Sequence, residues 1–208
     1  MKKTRDIILD TALNLFNTQG LSQVKLRTVA NKMGISQGNL NYHFKKREDV
    51  IEALYFNLVD HISAHMKKPL EGDSVLAILF SNTKAVIYEL FSYRFILLDF
   101  AQVMRENDRI RIHFQELQNQ REKEFLAFFE VLRGAGLMRE EQLPDEYKNL
   151  YIRFQMFGDF WVASAEISEN SVTEKSIPKY LEIINQTIYP YLTAKGQREY
   201  HRVSMNYM

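Results

Sequence analysis

Hydrophobic positions recur along this chain at the three-to-four-residue spacing of an amphipathic helix, and no segment shows strand-like alternation bounded by turn residues. Ile8, Leu9, Ala12, Leu15 and Phe16 share one face of a first helix, which Gly20 ends. A short second helix reads Leu26–Met33, with Gly34 after it, and Ser36 can cap a third over 37–44. A longer fourth runs from Arg47 to about Met66, before Lys67-Lys68-Pro69 and Gly72 break the chain. Asp73 or Ser74 caps a fifth through Leu90, and another spans roughly 93–105. A long helix over 109–133 carries Ile110, Phe114, Leu117, Phe125, Phe128 and Leu132, and Gly134 and Gly136 close it. Pro144 suits the first turn of the next, whose stripe is Tyr147, Leu150, Tyr151, Phe154, Phe157, Gly158, Trp161 and Ala165. The last holds Ile177, Tyr180, Leu181, Ile184, Ile188 and Tyr191, with Pro190 near its end. The pattern predicts an all-α fold of about nine helices. It divides into a head over 1–50, with helix four to about 66 as connector, a body over 51–193, and a polar tail over 194–208 that frays.

The chain has 208 residues, enough for one domain or two small ones with a buried core. Its 46% apolar and 25% charged composition reads as soluble and globular. There are no cysteines, which excludes disulfides and thiolate metal sites and fits a reducing compartment. The N-terminus runs into a charged amphipathic pattern rather than a signal peptide. Apolar stretches such as Phe95-Ile96-Leu97-Leu98, cut by Asp99, fall short of a membrane span. A cytoplasmic protein without membrane association is the simple expectation.

Net charge is only +1, but its distribution is uneven. Residues 1–50 hold nine basic side chains (Lys2, Lys3, Arg5, Lys25, Arg27, Lys32, Lys45, Lys46, Arg47) against Asp6, Asp10, Glu48 and Asp49. That makes the head +5 and leaves the remainder at −4. A basic head on an acidic body suits contact with phosphate, and charge alone equally suits a solvated surface.

The stretch Ala30-Asn31-Lys32-Met33-Gly34-Ile35-Ser36-Gln37-Gly38-Asn39-Leu40 carries more information. Ala30 lets two helices approach closely, Gly34 can turn the chain in the left-handed conformation, Ile35 and Leu40 can plug the angle, and Ser36 can cap. These are the requirements of a helix-turn-helix, which would present Gln37, Gly38, Asn39, Asn41, Tyr42 and His43 to a major groove. An ordinary helical hairpin has the same local needs.

Residues 4–50 as a whole resemble the head of the TetR family of bacterial repressors. The resemblance rests on Thr4 through Ile8, Ala12, Leu15-Phe16, Gly20, Val24, Arg27, Val29-Ala30, Met33 to Ser36, Gly38, Leu40, Tyr42-His43-Phe44 and Arg47 to Val50. It implies that Arg27 reaches a base edge and that Gln37 and Gly38 lie against bases. It places Asn39, Tyr42, His43, Lys46 and Arg47 near phosphate. Two positions depart from the family pattern. Asn41 stands where a phosphate-touching tyrosine is common, and can instead read adenine. Lys25 replaces a capping Ser or Thr, at a cost of roughly 0.5–2 kcal/mol unless phosphate is near.

The resemblance further implies a homodimer through the two C-terminal helices on a pseudo-palindromic double-stranded operator, and a small-molecule effector in the body with no cofactor. A repressor released by its ligand is the main expectation. An activator or corepressor-dependent regulator, or a helical binding protein with a vestigial head, are the alternatives.

In the body, Tyr88, Phe91, Phe95, Phe100, Phe114, Met156 and Phe160 are candidate pocket residues, although aromatic stripes at this spacing also build cores. Asp99 and Asp159 fall on apolar stripes, where a carboxylate must be paired or solvated. Arg94, Arg105 and Arg153 are available partners; alternatively the carboxylates anchor a hydrophobic or cationic ligand in an apolar cavity. No catalytic constellation appears. His61 and His65 are four apart but lack the accompanying carboxylate of a zinc-protease motif, and read as surface residues.

Overall fold

The computed structural model describes residues 3–66 and 74–207. Among them are eleven α-helices: α1 (Thr4–Gln19), α2 (Leu26–Met33), α3 (Gln37–His43), α4 (Arg47–Met66), α5 (Val75–Ser92), α6 (Arg94–Leu98), α7 (Phe100–Glu106), α8 (Asp108–Gly134), α9 (Glu146–Glu169), α10 (Ile177–Gln186) and α11 (Ala194–Tyr207). The all-α expectation is met, with more helices than the nine predicted. The break expected at Lys67 to Gly72 lies outside the described residues, as does Asp73. Ser74 caps α5, its Oγ accepting the Ala77 N–H at 3.2 Å.

Two differences raise the count. The helix predicted over 93–105 is two helices, hinged at Asp99 (φ −112°, ψ 27°). A matching break at Tyr93 (φ −110°, ψ 29°) separates α5 from α6. Asn17, at the end of α1, fits into that break. Its Nδ2 donates to the Ser92 carbonyl at 2.7 Å, and its Oδ1 accepts the Phe95 N–H at 3.1 Å. One side-chain amide therefore serves two backbone groups that a continuous helix would have paired internally. The tail is the other difference. It forms α11 because Tyr200 and Val203 repeat at helical spacing and are buried against Leu76 and Phe80 of α5. The Tyr200 ring lies 5.2 Å from Phe80 and 5.0 Å from Tyr189.

Smaller corrections concern helix ends. Pro144 precedes α9 rather than opening it, and Asp145 turns the chain at φ 56°. The helix expected through Tyr191 stops at Gln186, and Pro190 sits in a separate 3-10 turn, Tyr189–Tyr191. That turn is pinned by an isolated bridge between Met138 and Leu192.

Three cores organise the molecule. The first joins α1–α4 to Tyr93, Phe95, Ile96, Val103 and Ile110, so head and body share it. The second packs α5, α8, the start of α9 and α11; the third packs α5, α9 and α10. By length and apolarity α5 could cross a membrane, contrary to the expectation that no stretch would. In this fold it is a central helix that packs on α4, α10 and α11.

Gly196 sits where α11 crosses the α8–α9 connection. A Cβ there would press into the Leu137 carbonyl, whereas one on Gly134 would meet nothing within 4 Å. Gly196→Ala is expected to lower unfolding stability in urea by about 1–3 kcal/mol. Gly134→Ala, at ordinary helical φ, should leave it unchanged or raise it by up to ~1 kcal/mol. Equal effects from the two would contradict this packing.

Candidate functional site

The turn between α2 and α3 is built as its residues require. Gly34 adopts φ 67°, ψ 26°, its N–H bonds to Asn31 O at 3.2 Å, and the Ile35 N–H reaches back to Ala30 O at 3.1 Å. These are the paired bonds of a Schellman stop. Ser36 Oγ then accepts the Asn39 N–H at 3.2 Å to start α3, and Leu40 is fully buried beneath it. Lys25 cannot accept a capping bond, but half of a capping box survives: Thr28 Oγ1 accepts the Lys25 N–H at 3.3 Å.

With Leu40 turned inward, Gln37, Gly38, Asn39, Asn41 and Tyr42 of α3 are exposed, as are Lys25, Arg27 and Lys46. Tyr42 is 85% exposed, far more than a core tyrosine would be. His43 is half-buried, with its ring edge-on to Tyr42 at 5.2 Å. Arg47 is engaged within the protein, donating to Leu21 O at 3.2 Å and pairing with Glu48 at 3.5 Å. Asp49 Oδ2 accepts the N–H groups of both Lys45 and Lys46 at 3.1 Å, fixing the corner between α3 and α4.

The body contains a partly open cavity of about 560 Å³ lined by α4, α5, α6, α7, α8, α9 and Ile184 of α10. Its wall is mostly apolar, interrupted by Ser63, Asn82, Thr83, Gln118, Gln120 and Gln155 and by three charged side chains, Arg121, Glu124 and Asp159. Arg121 pairs with Glu124 at 2.6 Å and donates to Ser63 Oγ at 2.9 Å. Tyr55 OH lies 3.0 Å from His113 Nδ1, and Tyr151 OH donates to Gln118 Oε1 at 2.6 Å. Burial pushes the Asp159 carboxyl up to about 6, against a small opposing effect from its bond with Gln155. Burial, and secondarily the Asp159 charge, also raises Tyr55; Tyr151 is pushed to about 12 by burial, then by Glu122 and Asp159.

Residues 8–54 match the model of the tetR family of bacterial regulatory proteins, and residues 57–200 match a second model described as a bacterial transcriptional repressor. The chain belongs to the TetR family. UidR, a helix-turn-helix regulator of Escherichia coli K12, is 25% identical over 96 residues, 46% of this chain and 49% of that protein. The class D tetracycline repressor of Escherichia coli is 30% identical over 92 residues, 43% and 41% of the two chains. The chain thus spans about half the length of the curated relatives it matches. A TetR-family transcriptional regulator of Marinobacter aquaeolei VT8 has the same fold, with a TM-score of 0.86 at 23% identity over 99% of both chains.

Within this TetR-family body the structure sorts the predicted pocket residues. Phe100, Phe114 and Asp159 line the cavity. Phe95 does not: it stacks on Phe16 of the head at 4.9 Å. Phe91 is buried in the third core beneath the Arg94 guanidinium, 4.8 Å from its ring. Tyr88, Met156 and Phe160 are on the outside, and Asp99 sits at the α6–α7 hinge. Burial, then nearby Glu106, raises the Asp99 carboxyl. Two of the arginines considered as partners are engaged elsewhere, Arg94 with the Asn17 and Phe91 carbonyls and Arg153 with the Tyr191 hydroxyl, and Arg105 is exposed. His61 and His65 face Glu89 of α5 at 3.3 and 3.4 Å.

Most of the wall was missed by sequence reasoning: Leu58, Val59 and Ile62 of α4, Asn82, Thr83 and Val86 of α5, and Leu117, Gln118 and Arg121 of α8. The available signal was polar residues interrupting apolar stripes, as Asn82 and Thr83 do between Ile78 and Val86.

Because the Asp159 pKa is raised from 3.8 to about 6, the folded chain holds that proton more tightly than the unfolded chain. This contribution to stability is fully present below about pH 4 and lost as pH rises through about 6. Asp159→Asn is therefore expected to stabilise the protein by roughly 1–3 kcal/mol at pH 8 and hardly at all at pH 4, read by urea unfolding. A difference independent of pH would refute the buried-carboxylate reading.

Proposed function

We propose that the protein is a sequence-specific transcriptional repressor that binds operator DNA as a homodimer and leaves it when a small molecule fills the body cavity. One observation carries this reading: the helices walling the cavity, α4 and α6, also contribute to the core beneath the recognition helix. Arg27, Gln37, Gly38 and Asn41 would read or approach base edges, and Lys25, Asn39, Tyr42, His43 and Lys46 would meet backbone phosphate. Arg47 serves this face by holding the α2 approach to α4, through its bond to Leu21, in addition to any phosphate contact. The family is one of transcriptional regulators, in keeping with a non-enzymatic, cytoplasmic role.

A dimer through α9 and α10 is supported by their outer faces. Ile152, Met156, Phe160 and Ile167 repeat along the exposed side of α9, and Ile183 is exposed on α10. A self-complementary apolar stripe suits a two-fold interface, and a two-fold dimer suits a pseudo-palindromic site.

Binding to the DNA upstream of the protein's own gene, followed by gel shift over a salt series, tests the reading. Arg27→Ala should lose about 1–3 kcal/mol of preference for the best site over its point variants. Lys46→Ala should weaken all sequences alike and flatten the log–log salt slope by about one. Salt-sensitive binding with no sequence preference in the unmodified protein would reject the repressor reading.

Met156→Arg should yield monomers by sedimentation, with operator affinity falling by two orders of magnitude or so as bidentate attachment is lost. A dimer that survives this change places the interface elsewhere.

A further inference from the structure

We propose that the cavity takes an amphipathic organic monocation, with its charged head against Asp159 and its apolar part among the aromatic side chains. This rests on the ligand-release reading above and names the chemistry of the ligand. The cavity wall contains two carboxylates and one guanidinium. Arg121 already faces Glu124 and Ser63, so that pair is neutral as it stands. Asp159 is left with the amide of Gln155 as its described side-chain partner. No arginine or lysine is paired with it among the described residues, and Arg94 and Arg153 are engaged elsewhere. The other titratable groups around it are Tyr55, whose hydroxyl lies 3.0 Å from His113 Nδ1, and Tyr151.

A ligand that fills an apolar cavity expels the water that solvates such a carboxylate. A neutral ligand would leave Asp159 unpaired and further desolvated, and an anionic one would add repulsion. A positive head removes both penalties. Tyr55, Phe100, Phe114, Tyr151, Phe154 and Phe157 line the same space, and their ring faces attract a cation that has left water. The volume of about 560 Å³ accommodates a ligand of drug-like size. The selectivity is thus set by one charge in an apolar wall, and shape selects much less sharply.

The experiment compares three probes that share a tail and differ in head: decyltrimethylammonium, decanol and decanoate, all below their micelle concentrations. Calorimetry on the full-length dimer reads affinity, and fluorescence anisotropy of a labelled operator reads release. The cation should bind about tenfold or more tighter than the alcohol, with decanoate weakest. In Asp159→Asn the cation should fall to the level of the alcohol while the alcohol itself is unchanged or improved.

Decanoate binding as tightly as the cation would overturn the proposal and make Arg121 the anchor. A cation preference that persists in Asp159→Asn, or binding by none of the three, overturns it as well. A cation that binds with the expected preference but leaves operator affinity unchanged would instead defeat the ligand-release reading.

Discussion

The stack of Phe95 on Phe16 is the contact on which the arrangement of head and body depends. Phe95 belongs to α6, a helix of the body, yet its ring lies 4.9 Å from a ring of α1 and is almost wholly buried in the head's core. Asn17 fastens the same joint through two backbone groups on either side of the α5–α6 break. Ile96, the next residue, also belongs to that core and at the same time lines the cavity. The head is therefore no bead on a flexible linker. Close packing makes such a joint resist gradual deformation, so displacement of Ile96 or Leu97 must either be absorbed locally or move α1.

The cavity explains the unusual composition of α5. One side of this helix buries Leu76, Ala77 and Phe80 against other helices, while Ile78, Asn82, Val86 and Leu90 face the cavity. A helix that is apolar all round is ordinarily either a core helix or a membrane span. Here it is the former, with one side turned to the cavity. A ligand that makes dispersion contacts with this apolar side binds the folded state alone and stabilises it by mass action.

The head was legible in the sequence because its structure is decided by short-range rules. The left-handed turn at Gly34, the cap by Ser36 and the inward turn of Leu40 each involve a few neighbouring residues, and tertiary contacts do not override them. The body depends on distant partners. The boundary near Tyr93 was legible, but the amide that stabilises it comes from Asn17, far away in sequence, and nothing local marks Asp99 as a second break. Missing that break misassigned the side chains around it: with Asp99 as a hinge, Phe95 turns to the head and Phe100 to the cavity. The polar tail misled for a similar reason. Tyr200 and Val203 are sparse among charges, and only the waiting surface of α5 makes them decisive. On α9 the wide apolar pattern concealed two faces, one packed inward through Trp161 and one outward through Met156 and Phe160.

The two aspartates show how much a helix break matters to chemistry. Asp99 and Asp159 have the same signature in sequence, a carboxylate on an apolar stripe. Asp99 lies at the hinge, where its carbonyl starts α7 by accepting from Gln102 and Val103, and its side chain is outside the cavity wall. Asp159 lies mid-helix on α9 and faces the cavity with its charge uncompensated by any described cation. Opposite it, α4 runs for twenty residues, about 30 Å, with Val50, Ile51 and Leu54 in the head's core and Leu58, Val59 and Ile62 on the cavity. Tyr55, between those groups, belongs to the shared core, lines the cavity and responds to the Asp159 charge. Under the proposed ligand-release mechanism, reciprocity then requires that operator binding which favours one setting of α4 change the affinity of the cavity for its ligand by the same factor.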